Sequence, residues 1–318
     1  MVNIVDNETT LCISLAARPS DHGVRFHNYL YAKYGLNFLY KAVAPRDIED
    51  AVAGIRGLDI RGAGVSMPYK QAVIPLLDSV DHSAKRIGAV NTIVNDDGVL
   101  TGYNTDYIAV AQLVKDHQLA PNSHVALRGS GGMANAVVAA LTDSGFTGII
   151  VARNPETGPA LAQAYGWEYS KDVPADAEML VNVTPIGMKG PNEDDLSFSL
   201  QEVERAQIIF DCVAYPVETP LIQAARQAGK SILTGGEIIA LQAAEQFEKY
   251  TGVRPTAADV EEAEEYTRNP DKQRTILSRS AACPILACVP VVQGCLCNPG
   301  IFCALARCKE STLRYSIR

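Results

Sequence analysis

Apolar positions along the chain fall into two rhythms. Continuous apolar runs at residues 11–16 and 36–43 have the length of buried strands, and between them residues 25–34 set Phe26, Tyr29 and Leu30 on one helix face. A second helix is expected over 47–54, opened by Pro45 and Asp47 and stopped by Gly54, and a strand at 60–66 ends before Pro68. A helix near 69–77 leads to strands at 89–95 and 99–104, paired around the strong turn Asp96-Asp97-Gly98. A helix from Asp106 to about Asp116 then opens a second alternation. It has strands at 124–128, 148–152, 179–183 and 208–211 and helices at 134–144, 158–165, 221–228 and 238–250. Such alternation predicts the α/β class, with an open parallel sheet covered by helices in the second half.

Composition narrows the setting. The 318 residues are 47% hydrophobic and 20% charged, enough for about two domains. A net charge of −8 argues against a nucleic-acid binder or a partner of anionic membranes. Residues 1–10 lack the layout of a secretory signal, and the apolar stretch 281–292 is short and carries Pro284 and Pro290, so no membrane span is expected. A cytoplasmic protein acting on a small molecule, as a monomer or homodimer, is the expectation. Residues 270–318 differ from the rest, with six of the eight cysteines and a charge of +5 against −13 before them. They read as an atypical Cys-rich tail, disordered or loosely packed. Cys295-Leu296-Cys297 is not a C-x-x-C pair and the five histidines show no ligand spacing, so no metal is expected. Trp167, the tyrosines at 29, 31 and 34, and the acidic run 261–265 read as packing residues and a solvated helix face.

One glycine cluster has a specific context. Gly129-Ser130-Gly131-Gly132-Met133-Ala134 fits G-x-G-x-x-[G/A], follows an expected strand and opens an expected helix. Glycines there let backbone N–H groups approach a pyrophosphate, and the helix N-terminus stabilises its charge. About 20 residues on, where an NAD site places an acid on the ribose, the chain has Arg153-Asn154. An arginine can meet a 2′-phosphate, which favours NADP over NAD.

Two further segments, Val65 to Lys70 and Gly102 to Asp106, put a charged group just past a strand end. Oxidising a secondary alcohol requires a proton acceptor at the hydroxyl as hydride leaves. A partly buried lysine can serve, held and oriented by a carboxylate. Spacing alone favours the plainer reading, a surface lysine and a capping aspartate that never meet.

These segments resemble the shikimate dehydrogenase family, whose patterns V-[TS]-x-P-x-K, G-A-V-N-T and G-x-N-T-D stand here at 65–70, 88–92 and 102–106. The likeness continues in order through the glycine loop, 182–188, 211–220 and 242–247, covering roughly residues 11–255. The resemblance implies an N-terminal α/β substrate domain (1–106 plus about 238–269), a Rossmann-type NADP-binding domain (107–237), and a cleft between them. It implies that Lys70 and Asp106 are the catalytic pair and that Asn91, Thr105 and Gln242 bind substrate hydroxyls, with Ser66 where the family usually has Thr. It also implies that the glycine loop, Arg153, Asn154 and Thr184 line the cofactor, with Met188 and Tyr215 near the nicotinamide.

The likeness breaks at two places. A Ser-x-Ser pair before His-Asn binds the substrate carboxylate in the family; counting back from His27-Asn28 puts Asp21 and Gly23 there. Arg18, Ser20 or Arg25 could anchor an acid instead. Thr234-Gly235-Gly236-Glu237-Ile238 also departs from the usual pattern. The expectation is a divergent shikimate dehydrogenase-like oxidoreductase for shikimate, quinate or a relative, weak on shikimate itself. The alternative is a non-catalytic NADP sensor; a folate or amino-acid dehydrogenase fits the Asn-Thr segments less well.

Overall fold

The computed structural model describes residues 5–121 and 123–268, which form two α/β domains. The first contains β1 (Thr10–Leu15), α1 (His22–Tyr34), β2 (Phe38–Val43), α2 (Ile48–Gly57) and β3 (Gly62–Val65). It continues with β4 (Ser79–Val80), α3 (His82–Ile87), β5 (Thr92–Asp96) and β6 (Val99–Tyr103). Its sheet order is β2-β1-β3-β5-β6-β4, parallel from β2 to β3 and antiparallel from β3 through β5 to β6. The β5–β6 turn has positive φ at Asp97 and Gly98, the conformation that suits a two-residue hairpin loop.

Helix α4 (Thr105–Asp116) leads into β7 (Val125–Arg128), α5 (Gly132–Asp143), β8 (Gly148–Val151), α6 (Thr157–Tyr165) and β9 (Glu168–Ser170). Then come β10 (Met179–Asn182), α7 (Leu200–Arg205), β11 (Ile208–Asp211), α8 (Pro220–Gln227) and β12 (Ser231–Thr234). This sheet is wholly parallel, ordered β12-β11-β10-β7-β8-β9. Its central strands are apolar without alternation because both faces are covered. Leu127 and Val181 join one core with α4 and α5, whereas Ala126 and Leu180 join another beneath α7 and α8.

Helices α9 (Gly235–Thr251) and α10 (Ala257–Arg268) complete the described chain. A capping box between Thr234 and Glu237 starts α9 directly off β12. Helix α9 packs against α4 and carries Phe247 and Tyr250 into the first domain's core, where Cys12, Phe26 and Tyr40 lie. His117 and Glu237 meet at 2.9 Å at one end of this helix pair.

Residues 69–77 correct the expectation of a helix there. They are turns ending in a short 3-10 segment, Ile74–Leu76. Pro75 lies inside it, where it cannot donate to a helical ladder. Several short elements were not expected from periodicity, among them α3, α7, β9 and β12. The tail 270–318 lies outside the described residues. Among the described residues no helix is long and apolar enough to cross a membrane.

Candidate active site

Lys70 and Asp106 come from segments 36 positions apart and meet at 3.0 Å between Nζ and Oδ2. Local hydrogen bonds explain the meeting. The Lys70 carbonyl accepts from Val90 N at 2.8 Å, which ties the loop after β3 to the segment leading into β5. Asn104 caps α4 by accepting from Tyr107 N at 3.1 Å, and its own amide donates to Ala89 O at 2.9 Å. Asp106 therefore stands in the first turn of α4, beside the same 88–91 segment. Its side chain is 15% exposed and that of Lys70 34%, so the pair is reachable from solvent on the amine side.

Asn91 is the most constrained group nearby. Its Oδ1 accepts from Thr105 N (2.8 Å), Thr105 Oγ1 (3.1 Å) and Thr92 Oγ1 (2.9 Å). Thr105 is fully buried with its hydroxyl committed to Asn91, whereas Ser66 is exposed at the end of β3. Gln242 is half-buried on α9. One turn further on, Gln246 is buried and donates to Thr92 Oγ1 at 2.8 Å and to Asn91 O at 3.4 Å. Gln246 was not anticipated; its i+4 spacing from Gln242 on one helix face was the available signal.

The second locus follows β7. Gly129 has φ +123°, and a Cβ there would lie 2.8 Å from Val183 Cγ2, so only glycine fits. A cavity of about 540 Å³ opens beside it, lined by Gly129, Ser130, Gly131, Arg153, Asn154 and Thr184 among others. Gly132 starts α5, Met133 packs against the core and Ala134 is fully buried within it, so these three shape the helix start rather than the cavity wall. Asn154 Oδ1 accepts from Glu156 N and Thr157 N, turning the chain into α6. Arg128 and Lys171 line the same cavity and were not anticipated as site residues.

The loops after β10 and β11 are held by a buried polar knot. Asp211 accepts from Asn182 Nδ2 (2.9 Å), Val213 N (3.1 Å) and Thr219 Oγ1 (2.6 Å), and burial pushes its carboxyl above the ordinary range. Thr184 Oγ1 donates to Asn182 Oδ1 at 2.6 Å. Met188 and Tyr215 are 44% and 56% exposed on these loops, joined by Lys189 N donating to Tyr215 O at 3.1 Å.

At the expected acid-binding end, Asp21 is exposed and lies 3.5 Å from Arg25, whose Nη1 donates to Thr267 O in α10. Arg25 is thus directed to α10. Arg18 and Ser20 are exposed on the loop after β1, which Ala17 N joins to Met67 O at 3.2 Å beside Ser66. Among the described residues no group of three or more His, Cys, Asp or Glu side chains is arranged to hold a metal ion.

A parallel sheet with a glycine turn opening a helix, joined to a second α/β domain bearing an amine–carboxylate pair, is the build of a two-domain NAD(P)-dependent dehydrogenase. Residues 22–93 match the shikimate dehydrogenase substrate binding domain. A shikimate dehydrogenase-like protein of Haemophilus influenzae is 50% identical over 268 residues, 83% of this chain and 99% of that protein. Among solved structures, a shikimate 5-dehydrogenase-like protein superposes with a TM-score of 0.82 at 50% identity, over 83% of this chain and 100% of the other. A shikimate dehydrogenase solved in complex with NADP+ gives 0.74 at 28% identity, over 82% and 96%. The chain belongs to the shikimate dehydrogenase family, in a divergent, shikimate dehydrogenase-like branch.

Proposed function

We propose that the protein is a cytoplasmic, NADP-dependent oxidoreductase that interconverts a cyclic hydroxy acid, such as shikimate, quinate or a relative, with its 3-dehydro ketone. Residues 1–106 with about 238–269 form the substrate domain in this reading, and 107–237 the dinucleotide domain. The observation that carries it is the Lys70–Asp106 contact at 3.0 Å in a solvent-reachable position. The cavity beside Gly129 fits a dinucleotide. A Cβ is excluded at the turn, α5 begins at the same place, and Arg153 stands where a ribose-binding acid would select NAD.

A bound nicotinamide supplies the hydride acceptor or donor. The protein's part is to manage the proton. The Lys70 amine takes the hydroxyl proton as the alcohol is oxidised and returns it to the carbonyl oxygen on reduction, while Asp106 holds the amine in place. Asn91, with Thr105 fixing its orientation, and Gln242 bind the neighbouring hydroxyls. Asp21 in place of a serine repels a carboxylate and removes a donor, so the acid is held in another way and shikimate is a poor substrate. Of the alternatives, Arg18 is favoured, because its loop is stitched to the Ser66 segment whereas Arg25 turns to α10.

The test follows reduced-cofactor absorbance against a panel of cyclic hydroxy acids, with NADP and NAD in parallel. Turnover with NADP is expected for at least one panel member, and Lys70→Ala lowers kcat by about 10²–10⁴-fold. Tight NADP binding with no turnover on any panel member would overturn the enzyme reading in favour of a sensor. Shikimate turnover rivalling a housekeeping enzyme would overturn the altered acid-binding end.

A further inference from the structure

The cavity beside the glycine turn is also lined by an arginine, Arg128, that takes no part in the proton transfer. Arg128 is the last residue of β7, and its neighbours Val125, Ala126 and Leu127 are at most 1% exposed. A guanidinium at such a position is costly to desolvate unless something compensates it. Its carbonyl accepts from Val183 N at 3.0 Å, so the backbone is fixed in the sheet. Its Cζ lies 4.8 Å from the ring centroid of Phe198, which is 1% exposed. That stack fixes the guanidinium plane at the cavity wall. The Nε is buried and has no hydrogen-bond partner, although buried polar groups normally find one.

The charges around it are unbalanced. Arg153 and Lys171 line the same cavity, so three cationic side chains surround one space of about 540 Å³. Burial, together with the positive charge of Arg153, depresses the pKa of Arg128, and the carboxylates of Glu202 and Asp172 only partly offset this. Glu202 is not available to close in, because it accepts from Ser199 N and Ser199 Oγ at the start of α7. A compact anion carrying more than one charge satisfies this arrangement; a neutral ribose edge does not.

We propose that Arg128 is a specificity-determining residue that, with Arg153, clamps the 2′-phosphate of the dinucleotide, and that Phe198 is the positioning residue that presents it. The inference rests on the NADP-dependent reading above and deepens it. Arg153 approaches the phosphate from the exposed loop after β8, and Arg128 approaches it from the strand floor. Two planar forks on one phosphate give discrimination that a single exposed arginine, screened by water and salt, does not.

The experiment titrates the full-length protein, its Arg128→Met variant and its Phe198→Leu variant with NADP, NAD, 2′,5′-ADP and 5′-AMP. Methionine keeps an unbranched stem against Phe198 and removes a half-buried charge, so the fold is expected to persist; thermal melting checks this. In Arg128→Met, affinity for NADP and 2′,5′-ADP is expected to fall about 10- to 100-fold, while NAD and 5′-AMP change less than about threefold. Phe198→Leu should move the same pair of ligands in the same direction by a smaller factor. Equal losses for NADP and NAD would place Arg128 on the pyrophosphate or adenine and overturn the proposal, as would an unchanged NADP affinity. Failure of the wild-type protein to bind NADP at all would overturn the underlying cofactor reading as well, so the two failures are distinct.

Discussion

His27 offers a quantitative test of how the first domain is held together. It is 1% exposed, stacked on Tyr40 with ring centroids 4.4 Å apart, and its Nδ1 is buried without a partner. Burial pushes its pKa down to about 3, with a smaller push from the charge of His22 and an opposing hydrogen bond to Gln246. The sign follows directly. The folded protein holds His27 neutral where the unfolded chain, near 6.5, takes up a proton. This stability is complete above about pH 6.5 and is lost as pH falls through that value toward 3. At pH 4.5, two units below the unfolded value, the loss is about 3 kcal/mol, and near pH 3 it approaches about 5 kcal/mol. The assay is urea unfolding between pH 4.5 and 7.5 on the wild type and on His27→Phe, which keeps an aromatic ring against Tyr40. The variant loses the Gln246 hydrogen bond at every pH, which shifts its baseline but not its slope. Below about pH 6 the wild type should lose about 1.4 kcal/mol per pH unit more than the variant. Parallel slopes would mean that His27 does not titrate on unfolding, and the argument from burial would be wrong.

Gly129→Ala should cost about 1–3 kcal/mol of stability, from the φ of +123° and the collision with Val183, and should abolish dinucleotide binding; a variant that melts and binds like wild type would refute this. The α1–α10 contact should loosen in acid. Asp259 accepts from Tyr34 and Thr256 and pairs with Lys33 at 2.6 Å, and Lys33 also pairs with Glu262. These partners, Lys33 first, hold the Asp259 carboxyl well below its usual range, so the contribution is present above about pH 4 and lost as pH falls through the depressed value. Protection factors of the α10 amides should therefore fall in acid, and Asp259→Asn should show faster α10 exchange already at neutral pH; unchanged α10 protection in the variant would refute the reading.

The strands of the parallel sheet were legible because both faces are buried, which produces unbroken runs such as Val125 to Leu127 and Met179 to Val181. Short elements were harder to read. Helix α3 has six residues, too few for a periodic signal, and only its cap at Asp81 and the left-handed Gly88 mark its ends. Helix α7 is equally short, although its Ser199–Glu202 capping box was there to be read. Over 69–77 the apolar spacing suggested a helix, but the prolines at 68 and 75 leave only turns. At the candidate site, spacing could not say whether Lys70 and Asp106 meet; the ordered resemblance implied it, and the contact forms through hydrogen bonds involving Val90, Asn104 and Ala89. Gln246 and Arg128 carry no such signal, because a residue inside a helix or strand run looks like packing until its side-chain partners are known.

The saturation of Asn91 Oδ1 has a chemical corollary. One of its three donors is a backbone N–H, so the amide cannot be turned around without stranding that group. What Asn91 has left to offer is the NH2 side, which only gives hydrogen bonds. A ligand oxygen placed against it must receive. In the proposed reaction Asn91 can therefore serve a neighbouring hydroxyl only through that hydroxyl's lone pairs, and the hydroxyl's own proton needs an acceptor elsewhere.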